Sequence, residues 1–155
     1  MQRRRTLIVA NRTASTPSLM QEVERRATAR PTEFALLIPN VTSRRAADWT
    51  LEEALKSLRR AAGGPDGNLE VRVDGLLGGA DAFESVKAAL AGGRYDDVIV
   101  STLPRRLSEW LRRDLPGRVA ALGVPVLVMT PDTEDHTLFG NFTGSAKRPT
   151  MGGGY

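Results

Sequence analysis

The chain has 155 residues, of which 41% are hydrophobic, and this is enough for one domain with a proper core. It has no cysteine, which excludes disulfides, thiolate catalysis and zinc sites built on sulfur. The net charge of +4 comes mostly from arginine, which favours phosphate and carboxylate partners, although a solvated arginine-rich surface is the plainer interpretation. With no membrane-length apolar run and no secretory signal pattern after the arginines at positions 3–5, the sequence predicts a cytoplasmic protein.

The first half of the chain predicts two strand–helix units. An apolar strand over Thr6–Ala10 leads to a helix that begins at Ser15-Thr16-Pro17 and ends before Pro31. A second buried strand, Phe34–Ile38, is followed by the capping box Thr50-x-x-Glu53, which predicts the start of the second helix.

The second half repeats the pattern. Alternating residues over Leu69–Val73 predict a half-exposed strand near a sheet edge, and Asp81 caps a third helix that ends at Gly92-Gly93. A fourth strand over Val98–Val100 and a fourth helix from Ser108 to about Leu122 lead to a fifth strand. Strand and helix thus alternate four times before the last strand, which predicts an α/β fold with a parallel sheet and helices on both faces.

Two regions follow from this organisation. Residues 1–131 form the predicted α/β domain, and residues 132–155 form a glycine-rich C-terminal tail that we expect to be flexible or bound to a partner. Residues 97–113 cover the fourth strand and the start of the next helix, and parallel α/β folds build ligand sites at such carboxyl ends. The carboxylate pair Asp96-Asp97 lies at the opposite end of that strand and predicts only a turn.

Three segments carry a family resemblance. They are Thr-Leu-Ile-Val-Ala at 6–10, Gly-Gly-Ala-Asp-Ala-Phe-Glu-Ser-Val at 78–86 and Gly-Val-Pro-Val-Leu-Val-Met at 123–129. All three resemble segments of the universal stress protein family. The resemblance covers about residues 5 to 130. It implies a three-layer sandwich of the adenine-nucleotide alpha-hydrolase-like type, with a five-stranded parallel sheet in the order 3-2-1-4-5. It also implies a homodimer formed through the last strand, at Val126, Leu127, Val128 and Met129.

The sequence departs from the family's nucleotide motif. Nucleotide-binding members carry Gly-x-x-Gly, nine residues and then Gly-Ser or Gly-Thr after strand 4, whereas this chain has Ser101, Pro104 and the neighbourhood of Asp114 there. Pro104 has no amide hydrogen to donate, and Asp114 would repel phosphate. The family's aspartate after strand 1 is replaced by Asn11 or Arg12. We therefore expect ordinary ATP binding to be lost.

Hydroxyl, amide and guanidinium groups near the first and fourth strands could still hold one phosphate or carboxylate. The alternative is structural: a turn residue at position 11, a helix cap at position 108 and solvated arginines. The candidate ligand-binding residues are Asn11, Arg12, Ser101, Thr102, Arg105, Arg106 and Ser108.

Catalytic and metal-binding patterns are weak. The single histidine, His136, lies among acidic residues in the tail, where neither a triad nor a fixed metal geometry is indicated, so we expect no catalytic residue and no metal. No cofactor is indicated either, although a nucleotide or another small anion remains a candidate ligand.

Three functions compete. The first is a universal-stress-like regulatory or ligand-binding protein, dimeric and not an enzyme. The second is an interaction protein that docks onto a larger assembly through its arginine-rich surface and its tail, with nucleic acid as a less favoured partner. The third is a nucleotide-binding or nucleotide-hydrolysing enzyme. The apolar anchors of the docking tail would be Leu138, Phe139, Phe142 and Tyr155.

Overall fold

A computed structural model describes residues 3–10, 16–39, 44–102, 108–130 and 136–139. Six strands and five helices are defined within these residues. In chain order they are β1 (Arg4–Ala10), α1 (Pro17–Ala29), β2 (Thr32–Ile38), α2 (Arg44–Ala62), β3 (Val73–Leu77), α3 (Ala82–Gly92), β4 (Asp97–Ser101), α4 (Glu109–Arg112), α5 (Leu115–Ala120), β5 (Val126–Met129) and β6 (His136–Phe139).

The sheet confirms the predicted fold class. Strands β1 to β5 are parallel and lie in the order 3-2-1-4-5, and β6 adds an antiparallel strand beyond β5. Because successive strand residues face opposite sides, Ile8 and Ile99 pack with α1 and α2, whereas Leu7 and Val98 pack with α3 and α5. Both faces of the sheet are therefore covered by helices, as a parallel sheet requires.

Two helix starts confirm their sequence signals. Thr16 precedes Pro17 at the beginning of α1, and the Asp81 side chain accepts a hydrogen bond from the Glu84 amide at the start of α3. The fixed backbone angle of the proline and the carboxylate cap both favour helix initiation where the sequence places them.

Helix α2 and strand β3 differ from the prediction. The helix begins at Arg44, so the box at Thr50 lies inside it, because the preceding arginines and alanines are themselves good helix formers. Strand β3 lies later than the predicted run and includes Gly75. A Cβ atom at Gly75 would stand 2.9 Å from a methyl carbon of Leu55, so α2 approaches the strand closely at this glycine.

The predicted fourth helix is divided in two. Asp114 adopts a left-handed conformation with φ of 56° between α4 and α5, and its carboxylate accepts a hydrogen bond from the Gly117 amide. Pro116 lies in the first turn of α5, where its missing N–H group costs no helical hydrogen bond. The Asp114 carboxylate is thus a helix cap.

Part of the predicted tail belongs to the sheet. Strand β6 pairs with β5 in a register that places Leu138 opposite Leu127 and Phe139 opposite Val126. The expectation that β5 offers an open edge is therefore wrong, because β4 occupies one side of it and β6 the other. Val126, Leu127, Val128 and Met129 are all buried within the chain. Dimerisation itself stays a prediction.

Candidate functional site at the carboxyl end of the sheet

The order of the strands reverses between β1 and β4. The connection from β1 leads to β2 on one side, whereas β4 lies on the other side of β1. The two strands end together, since Ala10 is the register partner of Ser101. Parallel α/β proteins bind ligands in the crevice at such a reversal, so the predicted junction occupies the expected place in the fold.

Three of the seven predicted ligand-binding residues lie among the described residues, and all three are buried: Ser101, Thr102 and Ser108. The hydroxyl oxygens of Thr102 and Ser108 are 2.6 Å apart and share a hydrogen bond. Ser108 also accepts a hydrogen bond of 3.1 Å from the Leu111 amide, which confirms the residue as the cap of α4. The other four predictions, Asn11, Arg12, Arg105 and Arg106, lie outside the described residues.

The hydrogen bond between Thr102 and Ser108 joins the two ends of the segment 103–107. The Thr102 amide in turn donates to the Met129 carbonyl at 2.9 Å, which ties the same point to β5. These two hydrogen bonds fix Thr102, at the end of β4, to β5 and to the start of α4.

The predicted contribution of a helix N-terminus is weaker than the sequence suggests. Helix α4 has only four residues, and its Leu111 amide already donates to Ser108. A short helix has a small dipole, and an amide that is already hydrogen-bonded is not available to a ligand. The N-terminus of α4 by itself therefore makes a weak anion site.

A cavity of about 350 Å³ lies beside α4, between the start of α3 and α5. The Arg118 guanidinium lies over the Phe83 ring, 4.2 Å from its centre, and Trp110 forms part of the wall. The carboxylates of Asp81 and Glu109 also line this cavity. Its lining thus combines aromatic surfaces with charged side chains of both signs.

A second polar cluster, at the amino ends of the strands, was missed by the sequence analysis. Asp97 is the first residue of β4 and is buried, so the prediction of a simple turn at Asp96-Asp97 is wrong for Asp97. Its carboxylate accepts hydrogen bonds of 2.7 Å from the Thr6 hydroxyl and 2.6 Å from Arg26 Nη1. Arg4 Nη2 lies 3.4 Å from the same carboxylate. A buried carboxylate with these partners links β1, β4 and α1.

Glu22 extends the cluster along α1. Its carboxylate accepts hydrogen bonds from Arg26 Nε at 2.6 Å and from both Nε and Nη2 of Arg25, at 3.0 and 2.6 Å. Burial alone would raise the pKa of Glu22, but the hydrogen bonds and charges of Arg25 and Arg26 outweigh it and lower the pKa below its ordinary value of 4.5. The same contact raises the pKa of the Arg25 guanidinium. Glu22 is thus held ionised between two arginines.

One signal in the sequence pointed to part of this cluster. Glu22 and Arg26 stand four residues apart on a helix, which is the spacing of a helical ion pair. Thr6 and Asp97 are 91 residues apart, and only the parallel register of β1 and β4 brings them together. We name the side chains of Arg4, Thr6, Glu22, Arg25, Arg26 and Asp97 the amino-end cluster.

Over the described ranges of the chain, no group of three or more metal-ligating side chains is placed to hold a metal ion. His136 and its acidic neighbours belong to β6 or lie outside the described residues, so the tail group is not tested. None of the helices that the structure describes combines the length and the apolar character needed to cross a membrane.

No protein-family model matches this chain, and no curated protein sequence shows significant similarity to it. The likeness to universal stress proteins therefore rests on the three sequence segments and is an expectation about family membership. The parallel sheet order agrees with that expectation, but a fold alone does not define a function.

Proposed function

We propose that this chain is a regulatory, non-enzymatic ligand-binding protein of the universal stress type, which binds an adenylate-sized anion at the carboxyl end of its sheet without the family's usual ATP chemistry. The observation that carries the proposal is the strand reversal between β1 and β4, where Ala10 meets Ser101 and the Thr102–Ser108 hydrogen bond closes the adjoining segment. This is the place where a parallel sheet leaves room for a ligand.

We assign the charged part and the planar part of the ligand to different residues at this end. Arg105 and Arg106, which lie between Thr102 and Ser108 in the sequence, would supply the charge that the missing glycine amides cannot. The cavity beside α4 would accept the planar part of the ligand, against Phe83 and Arg118. The buried hydroxyls position the segment and are already hydrogen-bonded to protein groups, so we assign them no direct catalytic part.

Pro104 distinguishes this site from a triphosphate cradle. A proline donates no backbone hydrogen bond, and the carboxylate of Asp114 is used to cap α5. A ligand with one phosphate needs fewer donors than a triphosphate does, which is why the proposal favours AMP or a cyclic nucleotide over ATP.

Calorimetric titration of the full chain with AMP, cyclic AMP and ATP tests the proposal. We expect AMP or cyclic AMP to bind with one site per chain and ATP to bind no more tightly. The double variant Arg105→Ala, Arg106→Ala should weaken that binding by about tenfold, as the loss of charge-assisted hydrogen bonds predicts. Phe83→Leu should weaken it less, because leucine keeps the apolar contact and removes the aromatic face.

Arg112→Ala is the matched control, since this exposed arginine of α4 lies close by in sequence and has no side-chain partner among the described residues. It should leave the affinity within about twofold of wild type. Micromolar ATP binding, or equal losses in the control and the double variant, would refute the proposal.

A further inference from the structure

A second cavity lies at the other end of the sheet, against the amino-end cluster. It is a half-open pocket of about 300 Å³ between β1, β4 and the last turns of α1, which is near the lower limit for a small-molecule site. Four arginines and one carboxylate face it: Arg4, Arg25, Arg26, Arg30 and Asp97. The pocket is small, and half of its lining residues are arginines.

The charges around this cavity do not balance. Four guanidiniums line it, whereas among the described residues two carboxylates, those of Asp97 and Glu22, pair with them. The cavity therefore carries an excess of about two positive charges at neutral pH. Such an excess repels a cationic ligand and attracts a dianionic one.

The arginines fall into two groups. Arg26 is fixed between Glu22 and Asp97 by two contacts of 2.6 Å, and only 16% of its side chain is exposed. Arg30 forms no side-chain hydrogen bond or ion pair with any other residue that the structure describes, and Arg4 makes only the contact of 3.4 Å. Arg26 thus serves as a fixed part of the wall, while Arg4 and Arg30 have donors left for a ligand.

Asp97 does not cancel this preference. One of its oxygens accepts from Thr6 and the other from Arg26 and Arg4, so its negative charge is already compensated by protein groups. A ligand in the cavity meets the outer donors of Arg4 and Arg30 beside an already neutralised carboxylate. Guanidinium groups bind phosphate through two parallel hydrogen bonds, which makes a phosphate group the best complement to this pair.

The geometry points to a binding site for a small phosphate monoester in this cavity, between Arg4 and Arg30. The site goes beyond the proposed function, because it lies at the opposite end of the strands and shares no residue with the carboxyl-end site. The pocket has a volume of about 300 Å³, so the proposal commits to a small ligand.

Calorimetric titration and thermal-shift measurements with O-phosphoserine and inorganic phosphate, at constant ionic strength adjusted with chloride, test the site. We expect saturable binding of phosphoserine at one site per chain. Arg30→Gln should weaken it about fivefold and the pair Arg4→Gln, Arg30→Gln at least about twentyfold, since each glutamine removes a charged donor. Arg30→Gln removes no described contact, so its folding should match wild type.

Lys87→Gln is the control for net charge. Lys87 is exposed on α3, on the other face of the sheet from α1, so its loss should leave phosphoserine affinity unchanged. Arg105→Ala should also leave it unchanged, which separates this site from the carboxyl-end site. Absence of saturable binding would overturn the inference. So would equal losses in Lys87→Gln and Arg30→Gln, or binding only to an oligonucleotide with a steep salt dependence.

Discussion

The two ends of this parallel sheet are built from different chemistry. At the amino ends, ionised side chains are fixed by ion pairs as short as 2.6 Å, and Asp97 is buried among them. At the carboxyl end, the described polar side chains next to β4 are uncharged hydroxyls that bond to one another and to the backbone. The buried polar side chains described directly after β4 are thus neutral, whereas those at its start are charged.

The two ends should therefore respond differently to loss of a side chain. Removing an ion from the amino end leaves other ions without partners in a buried setting, which is costly. Removing a hydroxyl from the carboxyl end costs only a neutral hydrogen bond and a helix cap.

The largest effect is expected for Asp97→Ala. This change leaves the Thr6 hydroxyl without its acceptor and Arg26 with Glu22 as its one remaining described carboxylate partner, and breaking a buried ion pair typically costs about 3 kcal/mol or more. Urea unfolding should show the loss as a lower midpoint with an unchanged slope. Asp96→Ala is the matched control: Asp96 is exposed and accepts one hydrogen bond from the Arg5 amide, so we expect about 1 kcal/mol or less. Equal losses in the two variants would mean that the burial of Asp97 does not increase its contribution to the free energy of unfolding.

The next effect concerns the hydroxyl pair. Ser108→Ala removes the cap of α4 and the partner of Thr102, and we expect a loss of about 1–2 kcal/mol. Thr102→Val removes the other hydroxyl with little change of shape. The double variant should lose less than the sum of the two single variants, because both single changes break the same hydrogen bond. A double-variant loss equal to the sum of the two single losses would contradict the hydrogen bond between Thr102 and Ser108.

A smaller, pH-dependent effect is expected from Glu22. Because the pKa of its carboxyl is lowered in the folded chain, the stability that it contributes is present above its ordinary pKa of 4.5 and is lost as the pH falls through the lower folded value. The difference in unfolding free energy between wild type and Glu22→Gln should therefore be largest near neutral pH and shrink in acid. A difference that stays constant from pH 7 into strong acid would show that the carboxylate charge is not what stabilises α1.

The smallest effect is expected at the exposed ion pair of α4. Arg113 lies 3.5 Å from Glu109, and 73% and 62% of the two side chains are exposed. Such pairs contribute little in water, so Arg113→Ala should change the unfolding free energy by about 0.5 kcal/mol or less. Thermal unfolding at low and high salt would measure it. A loss as large as that of Asp97→Ala would abolish the contrast between buried and exposed ions.

Local sequence signals predicted much of the fold and part of the site. The caps at Asp81 and Ser108 depend on residues three positions apart, and both are present in the structure. The division of the fourth helix was missed although Pro116 was a signal for it, since proline is favoured in a first helical turn. The pairing of β6 with β5 was missed because a short strand in a polar, glycine-rich segment has a weak local pattern.

The amino-end cluster could not be predicted by the same reasoning. Its contacts join residues 71 and 91 positions apart, and they form only when β1, β4 and α1 have assembled. Ligand sites in parallel sheets are expected at the carboxyl ends of strands, and this expectation does not lead to Asp97, which lies at the amino end of β4. Burial and ion pairing, which are properties of the assembled sheet, are what distinguish Asp97 from its exposed neighbour Asp96.

An amide NMR titration of the full chain with AMP and, separately, with O-phosphoserine tests the account most directly. We predict that AMP shifts the amides of Ser101, Thr102 and Ser108 at the carboxyl end. Phosphoserine should instead shift those of Thr6, Arg30 and Asp97 at the amino end and leave the first group unmoved. AMP that left Ser101, Thr102 and Ser108 unchanged at saturation would contradict the central claim that the ligand site lies where the strand order reverses.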